Sequence, residues 1–187
     1  MERTAIIMIS NRHIHLTREA VDVLFGKGYE LTVKKELGYP IFAANETVTL
    51  VGPKGSIAGV RVLGPLRPYN QAEILRADCF VLGIRAPVAI SGTPDIAPVR
   101  VVGPAGALDL EHGAVVAKRH LHISAENAEK YGLRAGQIVR VRIGGERGLV
   151  FDQTVVVITE METTVHVDVE EGNAANVTNG DVVEILV

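Results

Sequence analysis

Hydrophobic and polar residues alternate along much of the chain in short runs, which is the pattern of strands that bury one face. The runs are separated by turns rich in glycine and proline, such as those at 52–55 and 103–106. One short helix is predicted at 18–25, because Thr17 is a suitable N-terminal cap and Gly26 follows the apolar run. The predicted fold class is therefore mainly β with short helices.

Some segments of the chain resemble one another. Residues 77–88, 131–139 and 176–183 each have the pattern of a helix end, a turn and a strand. Together with the repeated histidine pairs below, they favour two small β-barrel domains related by apparent duplication. The alternative is that short segments of this kind look alike without a common origin.

Two of the alternating runs carry the same histidine pair. One reads Ser-Asn-Arg-His-Ile-His-Leu-Thr at 10–17, and the other reads Lys-Arg-His-Leu-His-Ile-Ser at 118–124. Because side chains alternate faces along a strand, His13 and His15 project together, as do His120 and His122. Two neutral imidazoles on one face suit zinc and similar ions. The repetition makes a metal-binding role more convincing than one pair alone.

Further ligands are less clearly marked. His166 lies on the polar face of the run 163–169, where it either completes a three-histidine set or is a partly exposed strand histidine. Glu73 lies on the polar side of a predicted strand, and it is one of several carboxylates that could complete a two-histidine site. We expect His112 to lie in a surface turn.

Three basic residues, Lys54, Arg61 and Arg67, lie around two Gly-Pro turns. Cations beside open turns suit a phosphate-bearing ligand, although basic residues in such a span are also common as solvated surface. The residues alone leave both interpretations open.

Composition excludes several classes of protein. Of 187 residues, 47% are hydrophobic and 22% are charged, as in ordinary globular proteins. The net charge of −3 argues against a general nucleic-acid surface, and no apolar run approaches the ~20 residues that span a bilayer. The single cysteine, Cys79, rules out a disulfide framework and has apolar neighbours, so we expect it to be buried and structural.

Several longer motifs accompany the histidine pairs. They are Val-Gly-Pro-Lys-Gly-Ser-Ile at 51–57, Leu-Gly-Pro-Leu-Arg at 63–67, Gly-Gly-Glu-Arg-Gly-Leu at 144–149 and His-Val-Asp at 166–168. With the histidine pairs, these motifs resemble the PduL-type phosphate propanoyltransferases, a family of phosphotransacylases, over nearly the whole chain. The resemblance implies two β-barrel domains, which we expect at 12–117 and 118–187, with the first strand (1–11) packed in the second barrel.

The resemblance also implies an activity and a site. The family exchanges an acyl group, such as acetyl or propanoyl, between coenzyme A and phosphate at two metal ions, usually zinc. It implies that His13, His15 and Glu73 hold one zinc ion and that His120, His122 and His166 hold the other. Arg67 matches the family's phosphate-contacting arginine. The positions that match contacts to coenzyme A are Met8, Ile9, Ser10, Lys54, Arg61 and Asn173.

Two features limit what the resemblance implies. Family members that enter bacterial microcompartments carry an N-terminal helical targeting extension, whereas nine residues precede Ser10 here. A free enzyme of the bacterial cytoplasm is therefore expected. Asn173 lies in a region where the family's loops vary.

The expected partners are acyl-CoA, phosphate and acyl phosphate, and neither nucleic acid nor a membrane is expected. A homodimer is the oligomeric state that we consider.

Other classes of function use similar residues. A dinuclear zinc hydrolase would employ the same histidines with a bound hydroxide as the nucleophile. A metal-storing barrel and an iron oxygenase barrel are weaker alternatives.

Overall fold

The computed structural model describes residues 2–38, 40–94 and 96–187. These residues form fourteen strands and four short helices, so the predicted mainly β class is confirmed. None of the described helices is long and apolar enough to cross a membrane. The strands are β1 (Thr4–Ser10), β2 (His13–His15), β3 (Val33–Glu36), β4 (Phe42–Val51), β5 (Ser56–Gly64), β6 (Gln71–Ile74), β7 (Val88–Ala89), β8 (Ala97–Val102), β9 (Ala107–Ala117), β10 (His120–Ile123), β11 (Ile138–Ile143), β12 (Leu149–Ile158), β13 (Thr164–Asp168) and β14 (Val182–Leu186). The helices are α1 (Arg18–Phe25), α2 (Arg76–Leu82), α3 (Ala125–Tyr131) and α4 (Val169–Ala175).

The chain divides into two compact units. The first unit combines the segment ending at Asn11 with residues 118–187, and the second comprises residues 12–117. In the first unit, six strands close into a barrel in the order β1-β13-β10-β12-β11-β14. In the second unit, six strands close in the order β4-β5-β2-β6-β9-β8, with β3 beside β4 and β7 beside β9. Each barrel encloses its own apolar core, built from the inward-facing aliphatic side chains of its strands.

The two barrels share one pairing pattern. Each His-x-His strand has a parallel neighbour and an antiparallel neighbour: β2 pairs with β5 and β6, and β10 pairs with β12 and β13. The antiparallel neighbour then pairs in parallel with one further strand, β6 with β9 and β13 with β1. In both barrels this further strand, β1 or β9, is followed in the chain by the His-x-His strand of the other barrel. This correspondence agrees with the predicted duplication.

The predicted helix and strands are confirmed, with one strand longer than predicted. Helix α1 has the predicted bounds, and the Thr17 hydroxyl accepts a hydrogen bond from the backbone N–H of Ala20 at 3.2 Å. The alternation at 47–51 predicts a strand that begins at Thr47, whereas β4 begins at Phe42. Its first half includes the charged residue Glu46 at a buried position, and a buried polar residue hides the alternation by which a strand is predicted.

The predicted turn around His112 is wrong, because this residue lies inside the long strand β9 with its side chain exposed. The adjacent Gly113 indicated a turn, but this position requires a glycine for another reason. A Cβ atom at Gly113 would lie 2.6 Å from Leu110 Cβ and 2.8 Å from Val99 Cγ1. The glycine therefore permits a close approach within the sheet.

Candidate functional site

The second unit brings two histidines and a carboxylate together. His13 and His15 lie on β2, and the antiparallel register places Glu73 of β6 directly opposite His13. The Nε2 atom of His13 lies 3.4 Å from Glu73 Oε2, and the Nε2 atom of His15 lies 3.9 Å from Glu73 Oε1. Both histidines are buried, and the three possible ligand atoms lie within 4.8 Å of one another. We call these three residues the first cluster.

The first unit contains a matching group of three histidines, which we call the second cluster. His120 and His122 lie on β10, and His166 of β13 lies directly opposite His120. The three ring centroids are 4.8–4.9 Å apart, and the possible ligand atoms again lie within 4.8 Å of one another. The strand pairing thus places the third member of each cluster at the same register position.

One hydrogen bond defines the tautomer of His120. Its Nδ1 atom lies 2.9 Å from the backbone carbonyl oxygen of Lys118. Because a carbonyl oxygen can only accept, Nδ1 carries a proton, so Nε2 is the nitrogen that holds the lone pair in the neutral form of the ring. A carbonyl partner of this kind is the usual companion of a metal-binding histidine.

Burial keeps one histidine of each pair neutral. Burial, together with the neighbouring His13, lowers the pKa of His15 to about 4, although Glu73 acts in the opposite direction. Burial, followed by the nearby His120, lowers the pKa of His122 to about 4. Both rings are neutral at pH 7, as metal binding requires.

The donor set of each cluster fits a zinc ion. The first offers two imidazole nitrogens and a carboxylate, and the second offers three imidazole nitrogens. In addition, the Nδ1 atom of His122 is buried and has no hydrogen-bond partner within the described part of the chain. Each cluster would supply three protein ligands, the number typical of a zinc site that keeps a position open for substrate.

Arg67 lies close enough to the first cluster for its charge to act on it. The Arg67 cation contributes to the lowered pKa of His15. The backbone N–H of Arg67 donates to the Leu16 carbonyl at 2.9 Å, which ties the arginine to the segment after β2. Its Nε is buried and, among residues 2–38, 40–94 and 96–187, has no hydrogen-bond partner. A guanidinium with an unmet donor is suited to an anionic ligand.

The other two basic residues of this region differ from Arg67. Arg61 is paired in register with His13, and its Nη1 donates to the carbonyl oxygens of Ala44 at 3.0 Å and Asn45 at 2.8 Å. Lys54 is exposed, and its backbone N–H donates to the Leu82 carbonyl at 3.1 Å. Arg61 therefore also stabilises the barrel, whereas Lys54 presents its ammonium group to solvent.

The remaining expected contact residues lie in the first unit, beside the strand that carries His166. Met8 of β1 is directly paired with His166, and the Ile9 N–H donates to Asn179 Oδ1 at 2.5 Å. Asn173 is exposed on α4. This helix packs closely on β1, because a Cβ atom at Gly172 would lie 2.9 Å from Ile9 Cδ1. The structure thus brings Met8, Ile9 and Ser10 together with the helix that carries Asn173.

Sequence reasoning assigned no role to Arg12 and Arg119, although each directly precedes a His-x-His pair. Arg12 Nε lies 2.8 Å from Asp78 Oδ2, and Arg119 Nε lies 2.7 Å from Glu171 Oε1. The signal that could have found them is the repeat itself, since an arginine stands at the same position in both copies. The expectation that Cys79 is buried is confirmed, because this residue lies in the buried part of α2.

Comparison with known proteins gives a consistent result. A family model described as phosphate propanoyltransferase matches residues 6–178. The chain is 48% identical over 185 residues to a phosphate propanoyltransferase of Thermotoga maritima, covering 97% of this chain and 88% of the relative. It is 49% identical over 180 residues to one of Rhodopseudomonas palustris, with 95% and 80% coverage. It is 45% identical over 190 residues to one of Citrobacter freundii, with 100% and 90% coverage.

The lowered pKa values predict how the metal-free protein titrates. The imidazole resonances of His15 and His122 should titrate with midpoints of about 4, because burial disfavours the charged ring. An NMR pH titration would measure this, with His15→Gln and His122→Gln assigning the two signals and the amide spectrum reporting that the protein stays folded. Midpoints near the ordinary value of about 6.5 would contradict the buried, neutral assignment.

Proposed function

The chain belongs to the phosphate propanoyltransferase family, and we propose that it exchanges a short acyl group, acetyl or propanoyl, between coenzyme A and inorganic phosphate. The reaction converts acyl-CoA and phosphate into acyl phosphate and coenzyme A. The observation that carries this proposal is the family match, which extends over residues 6–178 and includes both histidine clusters and Arg67.

We propose that each unit is one domain and that each holds one zinc ion. The ligands would be His13, His15 and Glu73 in one domain and His120, His122 and His166 in the other. Their close spacing, the neutral imidazoles of His15 and His122 and the unpartnered Nδ1 of His122 support this assignment. When bound, zinc would supply a Lewis acid that stabilises a thiolate and the negative charge of an acyl-transfer transition state.

We assign phosphate binding to Arg67. Its buried Nε lacks a protein partner among the described residues, and its cation adjoins the first cluster. A guanidinium can bind two phosphate oxygens at once and neutralise charge as phosphate attacks the thioester. The proposed contacts to coenzyme A are made by the exposed Lys54, by Arg61, by Met8, Ile9 and Ser10, and by Asn173.

We propose direct transfer of the acyl group. A phosphate oxygen attacks the thioester carbon, the new C–O bond forms, and the C–S bond breaks with its electron pair on sulfur. Phosphate loses a proton in this reaction, and the sulfur takes up a proton, so that free coenzyme A carries a thiol at neutral pH. Cys79 does not fit the role of a covalent carrier, because its thiol is buried and lies 3.9 Å from the Leu75 carbonyl oxygen.

A spectrophotometric assay tests the proposed reaction. Purified protein mixed with acetyl phosphate and coenzyme A should form thioester, and no thioester should appear when either substrate is omitted. A dinuclear zinc hydrolase with the same ligands would consume acetyl phosphate without forming thioester. That result, or no consumption at all by zinc-loaded protein, would contradict the proposed function.

Zinc content tests the two proposed metal sites. Protein supplied with zinc and freed of excess metal should retain about two ions per chain, because six side chains form two three-ligand clusters. The variant His120→Ala should retain about one. His112→Ala is the matched control, because His112 is exposed on β9 and lies outside both clusters. Elemental analysis that finds about one ion or none in the wild type would contradict the two-zinc proposal.

Arg67→Ala should impair the use of phosphate far more than the use of coenzyme A. Loss of a guanidinium that binds a phosphoryl group in a partly dehydrated site costs on the order of 2–4 kcal/mol, or roughly 30- to 1,000-fold in kcat/KM for phosphate. Steady-state kinetics with each substrate varied would measure both effects. Arg100→Ala is the control, because Arg100 forms an exposed ion pair with Asp109 at 2.7 Å. Unchanged phosphate kinetics in Arg67→Ala would remove Arg67 from the proposed site.

A further inference from the structure

An arginine stands directly before each His-x-His strand, two residues after the end of a strand in the other barrel. Arg12 follows β1 and precedes His13, and Arg119 follows β9 and precedes His120. We propose that Arg12 and Arg119 are positioning residues, each of which holds the third ligand of its cluster against the histidine pair. The inference rests on the proposed zinc sites and names residues beyond the ligands.

The contacts of Arg12 join β2 to the backbone just beyond Glu73. Its Nε donates to Asp78 Oδ2 at 2.8 Å, and the same oxygen accepts the backbone N–H of Leu75 at 2.9 Å. Leu75 is two residues after Glu73, and the Asp78 side chain is only 4% exposed. One buried carboxylate oxygen therefore connects the residue before His13 to the chain that follows the third ligand.

Arg119 makes the corresponding connection in the other barrel. Its Nε pairs with Glu171 Oε1 at 2.7 Å, and Glu171 Oε2 accepts the backbone N–H of Asp168 at 3.2 Å. Asp168 is two residues after His166, as Leu75 is two residues after Glu73. Arg119 is held further by a hydrogen bond from Nη1 to the Asp152 carbonyl at 2.7 Å and by Phe151, whose ring centroid lies 5.1 Å from the guanidinium carbon.

The position of these contacts points to a role in ligand geometry. Both carboxylates are the third residue of the helix that follows the third-ligand strand, α2 for Asp78 and α4 for Glu171. Charge-assisted hydrogen bonds in partly buried surroundings are strong and directional. They link the two strands whose relative position decides whether three ligand atoms converge. Removing a residue that orients a metal ligand typically costs about 10- to 100-fold in metal affinity.

Proteins with a single intact cluster allow each arginine to be tested alone. His120→Ala leaves the first cluster and His13→Ala leaves the second, and competition with a chromogenic chelator measures the zinc dissociation constant of each. Adding Arg12→Gln should weaken zinc binding by about 10- to 100-fold in the His120→Ala protein, whereas Arg119→Gln should leave that constant unchanged. In the His13→Ala protein, the effects of the two arginine substitutions should be reversed.

The conservative variants Arg12→Lys and Arg119→Lys keep a cation and should retain most of the affinity of their parent proteins. Circular dichroism of the metal-free proteins reports folding. If a glutamine variant unfolds, Asp78→Asn or Glu171→Gln removes the charge of the same contact from its carboxylate side and should weaken zinc binding at the matched cluster alone. Equal losses from both arginine substitutions at one cluster, or no loss from the matched one, would overturn the inference. Failure of both parent proteins to bind zinc would instead contradict the proposed metal sites, and the inference with them.

Discussion

The geometry of both clusters depends on the antiparallel pairing between each His-x-His strand and the strand that carries the third member of the cluster. In one barrel His13 faces Glu73, and in the other His120 faces His166. Directly opposed side chains on one face of an antiparallel pair lie close together, so the register alone brings the three side chains into one group. A slip of one residue would turn the third member of the cluster towards the other face of the sheet.

Burial of the intervening apolar residues stabilises this register. Ile14 and Leu121, the central residues of the two His-x-His strands, are fully buried in their barrel cores. Exposing a side chain of this size costs about 1.5–3 kcal/mol, and a register slipped by one residue would turn it out of the core. The alternation that places the histidines on one face of the strand therefore also places a buried apolar side chain on the other face.

The two barrels build chemically different clusters on one scaffold. The residue opposite the first histidine is a carboxylate in one barrel and an imidazole in the other. Under the proposed zinc binding, the first cluster would contribute one negative charge to its ion and the second none, so the second ion would keep more of its positive charge. Arg67, beside the first cluster, adds a positive charge there. The shared strand pairing thus supplies the geometry, and the different residue opposite the first histidine supplies the electrostatic difference.

Local patterns in the sequence were sufficient to predict the fold class, helix α1 and the projection of each histidine pair, because alternation and helix capping depend on neighbouring residues. They could not select Glu73 among several carboxylates, and it was the resemblance to a family that pointed to it. They also misplaced His112, because Gly113 permits a close approach to Leu110 that only the folded sheet reveals.

The pairs that build the two clusters are distant in the chain. Glu73 lies opposite His13, His166 lies opposite His120, and the contacts of Arg12 and Arg119 likewise join residues 46 to 66 positions apart. Only the tertiary structure decides such pairs, because strand register is a property of the whole barrel rather than of any one strand.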